Sequence, residues 1–415
     1  MLLHWLWLST RSNLSDHAKV DLLQHFRTVT EVYYADGAAF SCLEGITEAG
    51  LQSLLDKDLT KAQHILDTCN QKDIRILTYQ DAGYPHRLRN IADPPLVLYY
   101  AGRLPDFDSR PLIAVVGTRK ATPYGITTAK RMGYQIASCG GIVVSGVAAG
   151  IDSAAMQGAL SAGAGVIGVL GCGVDVVYPR SNRSLYADIR QCGCLLSEFA
   201  PGTEPFAWNF PKRNRILSGM SCGVLVVEAP EKSGALLTAR LAADQGRDVF
   251  AVPGNIDLPT SAGSNTLLRN GAIMVASGWD VLSEYAQQYP DKIRNCSSPG
   301  RQTAYPDEVV RAAAEAERTL PKVAQKTEIY HQNTPKQKKE IDTVQSSHYS
   351  DAEKKRPTMT ENEQRILDLV RQGMHMVDDI VASTDLPAGV VLGALTTLEI
   401  KGVVRRLPGK RVELK

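Results

Sequence analysis

Between residues 110 and 285 the chain alternates short, almost unbroken apolar runs with longer segments of mixed polarity. The runs are PLIAVVG, GGIVVSG, AGVIGVL, GCLLSEF, CGVLVVEA and RDVFAVPG, each bounded by glycine or a polar turn. Segments such as GITTAKRMGYQIAS and SAAMQGALSA separate them and read as helices. Apolar strands alternating with helices predict a parallel sheet covered on both faces. Right-handed crossovers then bring the C-terminal ends of all these strands to one edge, where such sheets bind ligands.

The flanks differ. Residues 1–85 read as a small helical domain of helix-hairpin-helix or SAM type. LSDHAKVDLLQHF has Ser15 as its N-cap, and LEGITEAGLQSLLD places Gly45 in a turn. Whether that domain touches DNA or only packs stays open. Residues 86–285 form the α/β core. Residues 286–356 are polar, charged and aperiodic, as a flexible linker would be. Residues 357–415 offer three helices (TENEQRILDLV, MVDDIVAST, PAGVVLGALTTLEIKG) and a hairpin, VVRRLPGKRVEL, turning at Pro408-Gly409. That arrangement predicts a winged helix.

Composition narrows the class of protein. A net charge of +2 does not announce a nucleic-acid partner, so any basic site must be local. The eight cysteines are scattered without a knuckle or a histidine cluster, and no metal site is expected. The N-terminal MLLHWLWLSTRSN is too short to span a bilayer and lacks a basic leader. These features suit a reduced, cytoplasmic protein that does not enter the membrane.

The strand ends carry the candidate chemistry. VVGTRKATPYG follows the first run with Gly117, Thr118, Arg119 and Lys120. SGVAAGIDSAA follows the second with Ser145, Gly146, Gly150, Asp152 and Ser153. Glycine and a hydroxyl at a helix start aim backbone N–H groups and a positive dipole end at an anion. From Arg110 to Arg215 there are eleven basic residues against five acidic ones, mostly in loops sent to one edge. A row of cations suits a polyanion better than one phosphate, and Phe206, Trp208 and Phe210 just before Lys212 and Arg213 could stack bases. No P-loop, complete dinucleotide-binding glycine motif, nucleophile elbow or deaminase pattern is present. Asp152 and Glu228 read as a helix cap and a strand-end polar residue rather than catalysts. No cofactor and no catalytic residue are expected.

Six stretches in order, YPHRLRNIADPPLVLYYAG, VVGTRKATPYG, SGVAAGIDSAAMQGAL, VLGCGVDVVYPRSNRSLY, NFPKRNRILSGMS and SGALLTARLAADQGRDVFAVPG, resemble the DprA (Smf) family of DNA-processing proteins. The likeness is dense over about residues 70–285, and the tail is similar to the winged-helix domain of many members. It implies an extended Rossmann-like core that binds single-stranded DNA. It also implies a homodimer that hands incoming DNA to the RecA recombinase in natural transformation, with no catalytic turnover. By resemblance, Arg119 beside Gly117, Thr118 and Lys120 grips phosphate. Ser145, Gly146 and Gly150 lie under the backbone. Phe210, Lys212, Arg213, Asn214 and Arg215 form a further contact segment, and Arg180 adds a charge.

Two other functions compete. A nucleotide-processing enzyme would carry P-G-G-x-G-T-x-x-E, and VPGNIDLPTSAGSN lacks its acid. A transcription factor would read bases with Ala388 to Lys401, but that helix holds one cation, at its end, and no Asn, Gln or Arg. The tail is therefore expected to be dispensable for single-strand binding.

Overall fold

The structure is a computed structural model that describes residues 1–40, 46–296, 360–384, 386, 388–400, 403–407 and 411–414. The chain divides into two units, Met1–Val323 and Ala324–Lys415.

The first unit opens with helices α1 (Leu2–Ser9), α2 (Asp16–His25), α3 (Val29–Tyr34), α4 (Gly37–Phe40), α5 (Glu48–Leu55) and α6 (Thr60–Gln71). Trp5, Leu6, Trp7 and Leu8 are consecutive and all buried, so α1 is an interior helix. Ser15 caps α2 by accepting from the Ala18 amide at 3.0 Å. The Gly45 turn lies outside the described residues.

Then follow β1 (Arg75–Thr78), α7 (His86–Arg89), β2 (Val97–Gly102), β3 (Leu112–Val116), α8 (Pro123–Ser138), β4 (Ile142–Ser145), α9 (Ile151–Ser161), β5 (Ile167–Val169), α10 (Arg183–Cys192) and β6 (Cys194–Ser197). The unit continues with α11 (Asn209–Met220), β7 (Gly223–Val226), α12 (Gly234–Asp244), β8 (Asp248–Ala251), α13 (Ala262–Arg269), β9 (Ile273–Met274) and α14 (Gly278–Ser283). The strands form one sheet in the order β1-β2-β6-β5-β4-β3-β7-β8-β9. All pairs from β6 through β9 are parallel; β2 runs antiparallel to β6, and β1 antiparallel to β2.

The six apolar runs became β3 to β8. They are buried because both faces are covered. Ile113 and Val115 of β3 share a core with Ala129, Met132 and Ile136 of α8 and Ala155 and Met156 of α9. On the other face Leu112 packs with Ile216 and Leu217 of α11, and Ala114 with Ala235 and Ala239 of α12.

Two sequence expectations change here. Residues 1–85 are not helical throughout, because Arg75–Thr78 pairs with β2 as an edge strand and joins the sheet. The N-terminal helices share one continuous core with the sheet. The linker does not begin at 286 either. Tyr289 and Ile293 are buried, and the Arg294 amide donates to the Cys139 carbonyl at 3.1 Å. The linker expectation from 297 onward falls outside the described residues.

The second unit holds α15 (Glu361–Arg371), α16 (Val377–Thr384), α17 (Ala388–Ile400) and an antiparallel pair, β10 (Val404–Leu407) and β11 (Arg411–Leu414). Thr360 and Glu363 close a capping box at the start of α15. Ile366, Val370, Ile380, Val391, Leu395 and Val412 form its core. The Pro408-Gly409 turn lies outside the described residues. No helix among the described residues is long and apolar enough to cross a membrane.

Candidate nucleic-acid interface

The strand order reverses at β3. The chain moves outward through β4, β5 and β6, then returns to place β7 on the other side of β3. A crevice of about 490 Å³ opens beyond the C-terminal ends of these strands, as expected at such a switch point. The loops after β3, β4 and β7 and the first turns of α11 build its walls.

The β3 loop is stitched to β7. The Thr118 amide donates to the Glu228 carbonyl at 2.7 Å. A side chain at Gly117 would put its Cβ 2.7 Å from that same carbonyl, so only glycine fits. Thr118 is buried, and its Oγ1 accepts from the Lys120 amide at 3.2 Å. The hydroxyl oxygen therefore shapes the loop, and the turn leaves Arg119 and Lys120 exposed. Arg119 lines the crevice with its guanidinium carbon 5.2 Å from the centroid of the Phe210 ring. The Tyr178 ring follows at 5.4 Å from Phe210. Arg180 stands exposed on the turn after Tyr178 and Pro179, which border the same region.

The β4 loop lies against the β3 loop. The Ile151 amide donates to the Thr118 carbonyl at 3.2 Å, and Gly150, at φ 83°, presses on the Thr118 and Arg119 carbonyls. Beneath it, the Ser145 hydroxyl donates to the Val115 carbonyl at 2.7 Å. Asp152 Oδ2 accepts from the Gly146 amide at 3.0 Å. Arg213 is 4% exposed and donates from Nη1 to the Val169 carbonyl at 2.6 Å. Burial pushes the Asp152 carboxyl up, and the Arg213 guanidinium opposes that rise. Asp152 and Arg213 thus make the floor of the crevice rather than its exposed wall, and Ser145 and Gly146 lie beneath that floor.

Lys212 and Arg215 leave the crevice altogether. Residues of a helix are about 100° apart, so Phe210, Arg213 and Asn214 share one side of α11 while Lys212 and Arg215 point elsewhere. Arg215 grips Glu198 at 2.8 Å and Asp16 at 3.0 Å; Lys212 lies 3.4 Å and 3.5 Å from the same two carboxylates. Burial alone would depress the Arg215 pKa, but Glu198 and Asp16 outweigh it and raise the value. These two cations tie α2 to the sheet.

Behind the far wall Glu228 is buried and accepts from the Thr122 amide at 2.9 Å, holding the start of α8. Exposed Lys232 and the start of α12 at Gly234, capped by Ser233, complete the crevice. Lys232, Ser233 and Gly234 escaped the sequence reading of the site, whereas Glu228 reads there as a strand-end polar residue. Their signal was available: EAPEKSGALLTAR follows an apolar run on the ligand-binding edge.

The family model for DNA recombination-mediator protein A matches residues 75–286, which is half of the chain. This chain belongs to the DNA recombination-mediator protein A family. The winged-helix model of the same family matches residues 350–410. Protein Smf of Synechocystis sp. is 33% identical over 99% of this chain and 98% of its own length. DNA processing protein DprA of Bacillus subtilis is 37% identical over 59% of this chain and 82% of its own length. The X-ray structure of DNA processing protein A from Streptococcus pneumoniae superposes with a TM-score of 0.61 at 33% identity, covering 68% of this chain and 98% of that one. The family's Rossmann-like core accounts for the parallel sheet, and its winged-helix domain for the C-terminal unit.

Proposed function

We propose that this chain is a single-stranded DNA-binding mediator that works as a homodimer in the cytoplasm, shields incoming strands and loads the RecA recombinase onto them. The observation that carries the reading is exposed Arg119 held over Phe210 at the switch-point crevice. A phosphate backbone can follow Arg119, Lys120, Lys232 and Arg180 along this edge while bases meet the aromatic rings. The helix starts at Gly150 and Gly234 add positive dipole ends. Gly117 and Gly150 let the backbone approach, Ser145, Gly146 and Arg213 support the loop from below, and Asn214 offers an amide at the wall. Thr118 contributes by orienting Arg119.

Binding without turnover is the better reading because the two best-placed carboxylates serve the scaffold. Glu228 holds the α8 start, and Asp152 holds the Gly146 amide. Titration of the full chain with single- and double-stranded oligonucleotides at several salt concentrations tests the proposal. Tighter, salt-dependent binding of single strands is expected, together with faster RecA filament nucleation when the protein is present. Equal affinity for duplex of one particular sequence, with a defined footprint, would favour transcriptional control instead.

A further inference from the structure

Phe206 and Trp208 are 42% and 70% exposed, and their rings stack on each other with centroids 4.8 Å apart and planes 4° from parallel. Large aromatic side chains usually hide most of this apolar area. The segment carrying them is nevertheless well anchored. The Gly202 amide donates to Asp175 Oδ1 at 2.8 Å, and Lys72 donates to Asp175 Oδ2 at 2.6 Å. The Gly173 amide donates to the Thr203 carbonyl at 2.9 Å, and the Asn209 amide to the Phe206 carbonyl at 3.0 Å. The rings are therefore held out in a set position.

Their place in the chain relates them to the crevice. Pro205 and Ala207 line it, and Phe206 and Trp208 are their immediate neighbours in the chain; Phe206, Ala207 and Trp208 are all exposed. Phe210, two residues on, lines it again beneath Arg119. The two rings are thus carried by residues adjacent in the chain to crevice-lining positions.

We infer that Phe206 and Trp208 form a base-stacking platform that extends the single-strand path beyond the crevice. This rests on the crevice being the single-strand site. The occupant is an unpaired base, because a flat pair of parallel rings beside a cationic groove offers what a base requires: a π-face next to its phosphate contact. Stacking of this kind tolerates any sequence.

Fluorescence and affinity of the full chain test the platform. Of the four tryptophans, Trp5 and Trp7 are buried and Trp279 is half-buried, so Trp208 should report base stacking. Oligothymidylate should quench the emission of the wild type, and Trp208→Phe should abolish most of that change while keeping affinity within about threefold. Trp208→Ala should weaken binding by about fivefold or more, the range for one stacked base. An abasic strand of equal length should show no such loss. Equal losses on both strands, or none on either, would overturn the platform. If Arg119→Ala still weakens binding in that case, the crevice reading survives; if it does not, both fall. Unchanged DNA affinity with slower RecA nucleation in Trp208→Ala would overturn the platform in favour of a protein-docking surface.

Discussion

Arg119 rests its guanidinium over the Phe210 ring at 5.2 Å, pairing the loop after β3 with the first turn of α11. The ring supports the cation without using its N–H fork, for which no hydrogen-bond or ion-pair partner stands among the described residues, so that it can meet a phosphate. Arg119→Ala should weaken single-strand binding by about 1.5–3 kcal/mol, as for a hydrogen bond to a charged group. The slope of log K against log salt should flatten by about 0.7. Arg119→Lys should fall between, since charge remains and the fork is lost. Wild-type affinity and slope in Arg119→Ala would sink this role.

Arg213 should behave as a structural residue. Arg213→Met leaves buried Asp152 without its opposing charge, and breaking such a pair costs about 3–5 kcal/mol. Urea unfolding in the absence of DNA should show that loss. The joint change Asp152→Leu with Arg213→Met should recover part of it. A variant of wild-type stability that only binds DNA poorly would make Arg213 a direct contact after all.

Gly150, in the β4 loop, and Gly234, in the crevice wall, should respond differently. Gly150 has φ 83° and faces the Thr118 and Arg119 carbonyls, so Gly150→Ala should destabilise by about 1–3 kcal/mol. A Cβ at Gly234 would meet nothing within 4 Å. Gly234→Ala should leave the unfolding midpoint within about 0.5 kcal/mol of wild type. Similar losses at both positions would contradict the close approach of the β3 and β4 loops.

Asp175 predicts an acid-dependent contribution to stability. Burial alone would raise its carboxyl, but the Lys72 ammonium and the Gly202 amide outweigh burial and hold the pKa below the ordinary carboxylate value. The unfolded chain therefore takes up the proton first as pH falls. The contribution is complete above about 3.9, the unfolded value, and disappears as pH drops through the lower folded value. Asp175→Asn should lower the melting temperature at pH 7, and the gap should close below that window. A gap of equal size at pH 7 and pH 2 would refute it.

Truncation should separate the packed part of the tail from the rest. Ending the chain after Cys296 keeps Tyr289 and Ile293 buried and should leave single-strand affinity within about tenfold, or 1.4 kcal/mol. Ending it after Tyr285 removes both side chains from the core and should lower the melting temperature of the sheet unit. Loss of DNA binding in a folded truncate ending at Cys296 would assign the winged-helix unit a direct contact.

The sequence by itself determined the parallel strands β3 to β8, because strands buried on both faces must be apolar along nearly their whole length. It also marked the edge on which the crevice opens, since glycine, hydroxyl and cation fall together there in the loops after strands. It could not sort the cations of FPKRNR. Arg213 and Arg215 look alike in the chain, yet one lies under the crevice and the other holds Asp16, 199 positions away. The antiparallel strands β1 and β2 were hidden for a similar reason: β1 is a four-residue strand defined by its partner more than by its own pattern. Burial of Tyr289 and Ile293 likewise follows from the surface that the segment meets. Local pattern records which face of an element is apolar. Which charge finds which partner is set only when distant elements are brought together, and the tertiary structure alone made that choice.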